Sequence, residues 1–158
     1  MVYITRISNQ FGDWEIRATD RGICSVSNRI SCVCAPENEL SGQAARELTQ
    51  YFAGERRTFS VPLDLSGTLF QRQVWKILTE LPYGTSVSYS YVAQRLGKPA
   101  AVRAAAGAIG RNPCLIFIPC HRVLGKDGSL TGFSAGLEVK KALLELEGIP
   151  YQERNRYI

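Results

Sequence analysis

Ile116-Phe117-Ile118 runs into Pro119, and Cys120, His121 (the sole histidine) and Arg122 follow directly. An apolar run of this kind reads as a buried strand, and a proline, which has a fixed φ and no backbone N–H, stops it at a sheet edge. A strand ending there delivers a thiol, an imidazole and a guanidinium to the point where the backbone leaves the core. A thiol needs a neighbouring base or positive charge to ionise near neutral pH, and His121 and Arg122 are candidates for those parts. The same residues also fit an inert core cysteine beside a surface histidine.

With 158 residues the chain suits one domain, or a small domain attached to a larger one. Hydrophobic residues make up 45% and charged residues 21%, the balance of a soluble globular protein. No apolar run approaches the ~18 residues of a membrane span. The N-terminus Met1-Val-Tyr-Ile-Thr-Arg6 lacks the basic-then-apolar pattern of a signal peptide, so a cytoplasmic protein is expected. The five cysteines, an odd number, fit reduced thiols better than a disulfide framework. Cys24, Cys32 and Cys34 fall short of the four ligands of a zinc site, so neither a metal nor another cofactor is expected.

Charge is divided unevenly. Residues 1–66 hold 7 Lys/Arg against 8 Asp/Glu, a net of −1; residues 67–158 hold 12 against 6, a net of +6. Between Glu80 and Asp127 no acidic residue occurs, while Arg95, Lys98, Arg103, Arg111, Arg122 and Lys126 do. A one-sided field of this kind attracts polyanions.

The spacing predicts strands at Val2–Ser8, Trp14–Thr19 and Ile23–Ser27, a further strand ending at Cys32-Val33-Cys34, and a short one over Thr58–Val61. Ser41–Phe52 is predicted as a helix, with Gly54 closing it. The charge balance changes near Gly67, which gives an N-terminal supporting domain (1–66), a C-terminal domain (67–150) and a loose polar tail (151–158). Thr68 and Gln71 fit a capping box opening a helix with Val74, Trp75, Ile77 and Leu78. Ser88–Gly97 and Ala100–Gly110 are predicted as two short helices, with Pro99 suited to opening the second. Together they make a helix-turn-helix candidate, or an ordinary helical hairpin. Ala101, Ala104, Ala105, Gly107 and Ala108 give the second helix a surface of small side chains around Arg103. Such a surface suits tight packing or close approach to a nucleic-acid groove. A last helix runs from Leu137 to Glu147, with lysines early and glutamates late, against the helix dipole. The fold class is α/β (α+β): a small sheet-plus-helix domain followed by a mostly helical domain with a helix-turn-helix.

Taken together, Phe70-Gln71-x-Gln73-Val74-Trp75, Pro82-Tyr83-Gly84, Ser88-Tyr89, Arg103-Ala104, Asn112-Pro113, Ile118-Pro119-Cys120-His121-Arg122-Val123, Gly132, Gly136, Lys140 and Glu147-Gly148 resemble the O6-alkylguanine-DNA alkyltransferases. The resemblance covers about residues 68–150. It implies repair of alkylated guanine in double-stranded DNA by a monomer acting once, with no cofactor, metal or membrane. O4-alkylthymine is a further substrate it allows. By this resemblance Cys120 is the alkyl acceptor, His121 its base through a water, Glu147 the group orienting His121, and Asn112 the residue holding the active-site turns. Tyr89 and Lys140 resemble the proton donor and the site lysine. The carbonyls of Cys120 and Val123 would accept from the guanine amino group, and the Ser134 amide would donate to O6. Arg103 corresponds to the arginine filling the space of a flipped nucleotide, with Ala101, Ala104 and Gly107 on the DNA-facing helix. The chain departs from the family at Thr131, often glycine, and at Phe133, often tyrosine. Two other readings compete: a protein that binds alkylated bases without repairing them, and a Cys-His hydrolase completed by Glu147.

Overall fold

The computed structural model describes residues 1–153; residues 154–158, the end of the expected loose tail, lie outside the described residues. The chain forms two compact units, residues 1–67 with 113–117, and residues 68–112 with 118 onward. Residues 113–117 thus pack with the first unit, although they follow the helices of the second in sequence.

In the first unit, β1 (Tyr3–Asn9), β2 (Gly12–Ala18) and β3 (Ile23–Ser27) form an antiparallel sheet in that order. The register sets Ile7 opposite Trp14 and Arg6 opposite Glu15. Helix α1 (Glu39–Phe52) packs on this sheet, and Trp14, Ile16, Val26, Leu48, Tyr51 and Phe52 fill the core. The helix starts two residues before Ser41, because Asn38 is the N-cap: the Ser41 amide donates to Asn38 at 2.8 Å, and the Asn38 amide donates to Ser41 Oγ at 3.0 Å.

Two expected strands do not form, for the same physical reason. Around Cys32–Cys34, Arg6 donates to the carbonyls of Ser31 and Val33, and the Ser31 amide donates to Glu15. Over Thr58–Val61, the amides of Ser60 and Val61 donate to the buried Glu47 carboxylate. Side chains have taken the backbone groups that a neighbouring strand would need. The predicted strand into Pro119 is also absent: Cys114 pairs with Val26 only as an isolated bridge, and Ile116–Phe117 form a turn. Ile116 adopts φ 75°, the left-handed region that β-branched residues rarely enter. Its side chain is nevertheless buried, and Phe117 stacks on Phe59 at 4.3 Å.

In the second unit, α2 (Leu69–Thr79) begins at the capping box of Thr68 and Gln71, with bonds of 3.0 and 3.1 Å. Buried Trp75 donates through Nε1 to the Ala108 carbonyl at 2.9 Å, tying α2 to α4 (Val102–Gly110). Helix α3 (Tyr89–Arg95) is capped by the Ser88 hydroxyl and packs on α4 as the helix-turn-helix pair. Pro99 lies in the turn between them, since α4 starts only at Val102. Ala105, Ala108 and Ile109 are the buried face of α4. The short strands β4 (Val87–Ser88) and β5 (Val123–Leu124) pair in parallel, which brings the segment after Cys120 to the start of α3. Helix α5 (Leu137–Glu147) ends at Gly148, with φ 72°. The tail is anchored rather than loose as far as residue 153. The Leu130 amide donates to the Gln152 carbonyl at 2.8 Å, Gln152 donates to Gly128 at 2.9 Å, and Lys141 pairs with Glu153 at 2.6 Å. Among the described residues no helix is long and apolar enough to cross a membrane.

Candidate active site

Pro119 ends the preceding turn, and Cys120–Arg122 form one turn of 3-10 helix before β5. All three side chains of this turn are buried. The geometry sends them to different partners. Cys120 is 5% exposed and sits in the wall of a cavity of about 410 Å³, together with Tyr89, Ile109, Thr131, Phe133 and Ser134. His121 Nε2 lies 2.6 Å from Glu147 Oε2. Arg122 donates from Nε to Glu147 Oε1 at 2.7 Å, from a second nitrogen to Oε2 at 3.1 Å, and from its third to the Leu81 carbonyl at 2.8 Å. The guanidinium also lies 5.6 Å from the centre of the Tyr83 ring. The Gly84 amide is a further donor to Glu147, at 3.1 Å.

Arg122 therefore clamps Glu147 instead of standing beside the thiol as the sequence suggested. A carboxylate with this set of donors is held in one orientation, with its charge directed at the imidazole. Burial lowers the His121 pKa more than Glu147 raises it, so His121 is neutral at rest and able to take a proton. Burial also pushes the Cys120 thiol up to about 11, against a hydrogen bond from Asn112 and the charge of Lys140. At neutral pH the thiol is therefore protonated and the imidazole neutral.

Lys140 supplies the cation that Arg122 does not. It is 1% exposed and donates to the Val123 carbonyl at 2.9 Å and to Thr131 Oγ1 at 3.2 Å. Burial brings its pKa down to about 8. Tyr89 Oη and Thr131 Oγ1 are 2.7 Å apart, and burial raises the Tyr89 pKa. Asn112 donates to the Ile118 carbonyl at 2.6 Å, fixing the turn that carries Cys120. Lys140 and Glu147 run against the dipole of α5 because both are turned into this site, where local pairing outweighs the dipole.

Helix α4 borders a second, more open groove of about 780 Å³, lined by Tyr89, Ala100, Val102, Arg103 and Ala106. Tyr89 and Ala106 line both hollows, so the groove adjoins the cavity. Arg103 and Ala104 are exposed, Ala101 and Gly107 partly so. Of the expected site residues, Tyr89, Cys120 and Ser134 line the cavity, Lys140 joins it through Thr131 and holds the Val123 carbonyl, Asn112 braces the Cys120 turn, and His121 pairs with Glu147 in the interior; on the α4 side only Arg103 lines the groove, and Ala101, Ala104 and Gly107 do not. Sequence reasoning missed the Arg122 clamp, the Gly84 amide and the bond of Thr131 to Lys140. The Pro82-Tyr83-Gly84 turn was the available signal for the first two.

Residues 69–149 match the family described as 6-O-methylguanine DNA methyltransferase, DNA binding domain. Residues 2–65 match its ribonuclease-like domain. The chain belongs to this family. The inducible methylated-DNA--protein-cysteine methyltransferase of Bacillus subtilis is 56% identical over 65% of this chain, and the match spans 58% of that relative's length. The crystal structure of Mycobacterium tuberculosis O6-methylguanine methyltransferase is 38% identical and superposes with a TM-score of 0.84 over 93% of each chain. Mycobacterium tuberculosis OGT in complex with DNA matches with the same score and identity, over 92% of this chain and 93% of that one.

Proposed function

We propose that this protein repairs O6-alkylguanine in duplex DNA by transferring the alkyl group irreversibly to Cys120, once per molecule. The observation that carries the reading is the placement of one thiol in the wall of a base-sized cavity, backed by the neutral His121 and its clamped Glu147. An O6-alkyl carbon inside a duplex is out of reach of a thiol, so the nucleotide must be flipped into the cavity. Arg103, on the groove beside the cavity, fills the vacated space, and the small residues Ala101, Ala104 and Gly107 let α4 approach the duplex closely.

His121 takes the thiol proton through a water, and Glu147 stabilises the imidazolium formed. The thiolate attacks the alkyl carbon, an S–C bond forms, and the C–O bond breaks with its electron pair passing to the guanine. The Ser134 amide and the Tyr89 hydroxyl, with Lys140 behind, receive that charge where it develops, which is where donors lower the barrier. The Val123 carbonyl orients the base, and Asn112 keeps Cys120 in place. The product is a thioether with no group nearby to cleave it, which makes the reaction single-turnover. O4-alkylthymine, smaller than guanine, fits the same chemistry. The protein works on DNA as a monomer, without cofactor, inside the cell.

Peptide mapping after incubation with O6-methylguanine duplex tests this reading. One methyl on the Cys120 peptide, with Cys114 unmodified, is the expected outcome. A bound but unmodified protein would establish a lesion-binding protein instead, and turnover of an ester or amide a hydrolase.

A further inference from the structure

Lys140 donates to three oxygens: the Val123 carbonyl at 2.9 Å, Thr131 Oγ1 at 3.2 Å and the Thr131 carbonyl at 3.4 Å. An ammonium has hydrogens and no lone pair, so Thr131 Oγ1 is the acceptor in that contact. The Thr131 hydroxyl has one hydrogen of its own, and its short 2.7 Å neighbour is Tyr89 Oη. With that hydrogen directed at Tyr89, the Tyr89 hydrogen is left to point into the cavity that Tyr89, Thr131 and Cys120 line.

We propose that Thr131 is a positioning residue for alkyl transfer, relaying the charge of Lys140 to Tyr89 and fixing the Tyr89 hydroxyl as a donor to the flipped base. The inference rests on the reading of the cavity as the guanine site and names a residue that sets its proton supply. The three groups form a chain of bonds that all point the same way, Lys140 to Thr131 to Tyr89 to base, and each bond polarises the next. As the C–O bond breaks, the guanine ring takes the Tyr89 hydrogen. Tyr89 takes the hydrogen of Thr131, Thr131 takes one from Lys140, and Lys140 recovers its proton from solvent. The thiol proton leaves separately through His121, so one proton enters for each that departs and nothing is oxidised or reduced. Lys140, brought down to about 8 by burial, is acid enough to feed this chain near neutral pH. The titratable groups facing it are Tyr89 from α3, and Cys120 and His121 from the 3-10 turn.

The test measures the single-turnover rate on O6-methylguanine duplex for wild type, Thr131→Val and Thr131→Ser across pH 6–10. Thr131→Val is expected to slow transfer about tenfold, the kinetic equivalent of one hydrogen bond, and Thr131→Ser to restore most of the rate. The ratio of wild-type to Thr131→Val rates, in which common changes at Cys120 and His121 cancel, should fall toward one as pH rises through about 8 and Lys140 loses its charge. In a Tyr89→Phe background the Thr131→Val loss should vanish, because the relay has lost its terminus. Melting curves and duplex binding establish that the variants are folded. A folded Thr131→Val as fast as wild type, a pH-independent ratio, or full additivity with Tyr89→Phe would each overturn the relay. A wild type that never methylates Cys120 would overturn the parent reading instead.

Discussion

Both units of this protein bury glutamate and cysteine side chains, but only in the second does the cysteine border a cavity. In the first unit Glu15 is 3% exposed and is held by Arg6 and Arg17, both at 3.0 Å, and by Ser31. Burial alone would raise its pKa, but the Ser31 amide and the two guanidinium groups outweigh burial and hold it at about 2. Cys114, in the same unit, is fully buried, and burial pushes its thiol far up. In the second unit Glu147 is held just as firmly, but one of its partners is His121, whose proton occupancy can change, and the neighbouring thiol borders a cavity. Burial and ion pairing by themselves build structure. A titratable partner and an open wall are what the second unit adds, and these are the ingredients from which reactive sites are built.

That contrast can be broken first at sulfur. Cys120→Ala should abolish alkyl transfer while duplex affinity stays within about twofold of wild type, because a neutral wall residue carries none of the phosphate electrostatics that dominate binding. Cys114→Ala should leave the transfer rate unchanged and cost about 1 kcal/mol of stability from the lost packing. Rate measurements with methylated duplex and denaturant melts distinguish the two thiols.

The carboxylates come next. Glu147→Gln should slow transfer by about a hundredfold or more, since the imidazolium loses its stabilising charge. Glu15→Gln should leave the rate constant alone and lower stability by about 2 kcal/mol, discounted because both arginine partners remain partly exposed. A fall in rate for Glu15→Gln in protein shown to be folded would erase the distinction.

A pH titration sharpens it. Glu15 has a folded pKa below the ordinary 4.5, so its stabilisation is fully present above that value and is lost as pH falls toward about 2. The stability gap between wild type and Glu15→Gln should therefore close over this window. His121 has a folded pKa below its ordinary 6.5, so the folded state resists its protonation and loses stability as pH falls below 6.5. The transfer rate should hold on its plateau to below pH 6.5, because His121 remains a free base there. The smallest effects belong to the helix caps: Asn38→Ala in the first unit and Thr68→Ala in the second should each cost about 1 kcal/mol and leave the rate unaltered.

Legibility in the sequence followed the locality of the forces. The Thr68–Gln71 box and the Leu137–Glu147 helix were readable because their signals lie within one turn. Resemblance to a family singles out Cys120, His121 and Glu147, because it carries long-range pairing that spacing does not; the structure pairs His121 with Glu147 and sets Cys120 in a cavity wall. The strands expected at 32–34, 58–61 and 116–118 do not form, because β propensity is silent about Glu15, Glu47 and Arg6 capturing the backbone, or about a turn at Ile116. Adjacency alone puts Arg122 beside the thiol, but successive residues of a 3-10 turn point about a third of a revolution apart. That geometry sends Cys120 to the cavity and Arg122 to Glu147.

The most direct test of the central claim is the stoichiometry of transfer under a large excess of O6-methylguanine duplex. Intact-protein mass spectrometry over time should show methyl incorporation rising to one group per chain and stopping, with repaired DNA equal to the protein added. Repaired DNA continuing to accumulate beyond the protein, or a methyl group fixed anywhere but Cys120, would contradict it.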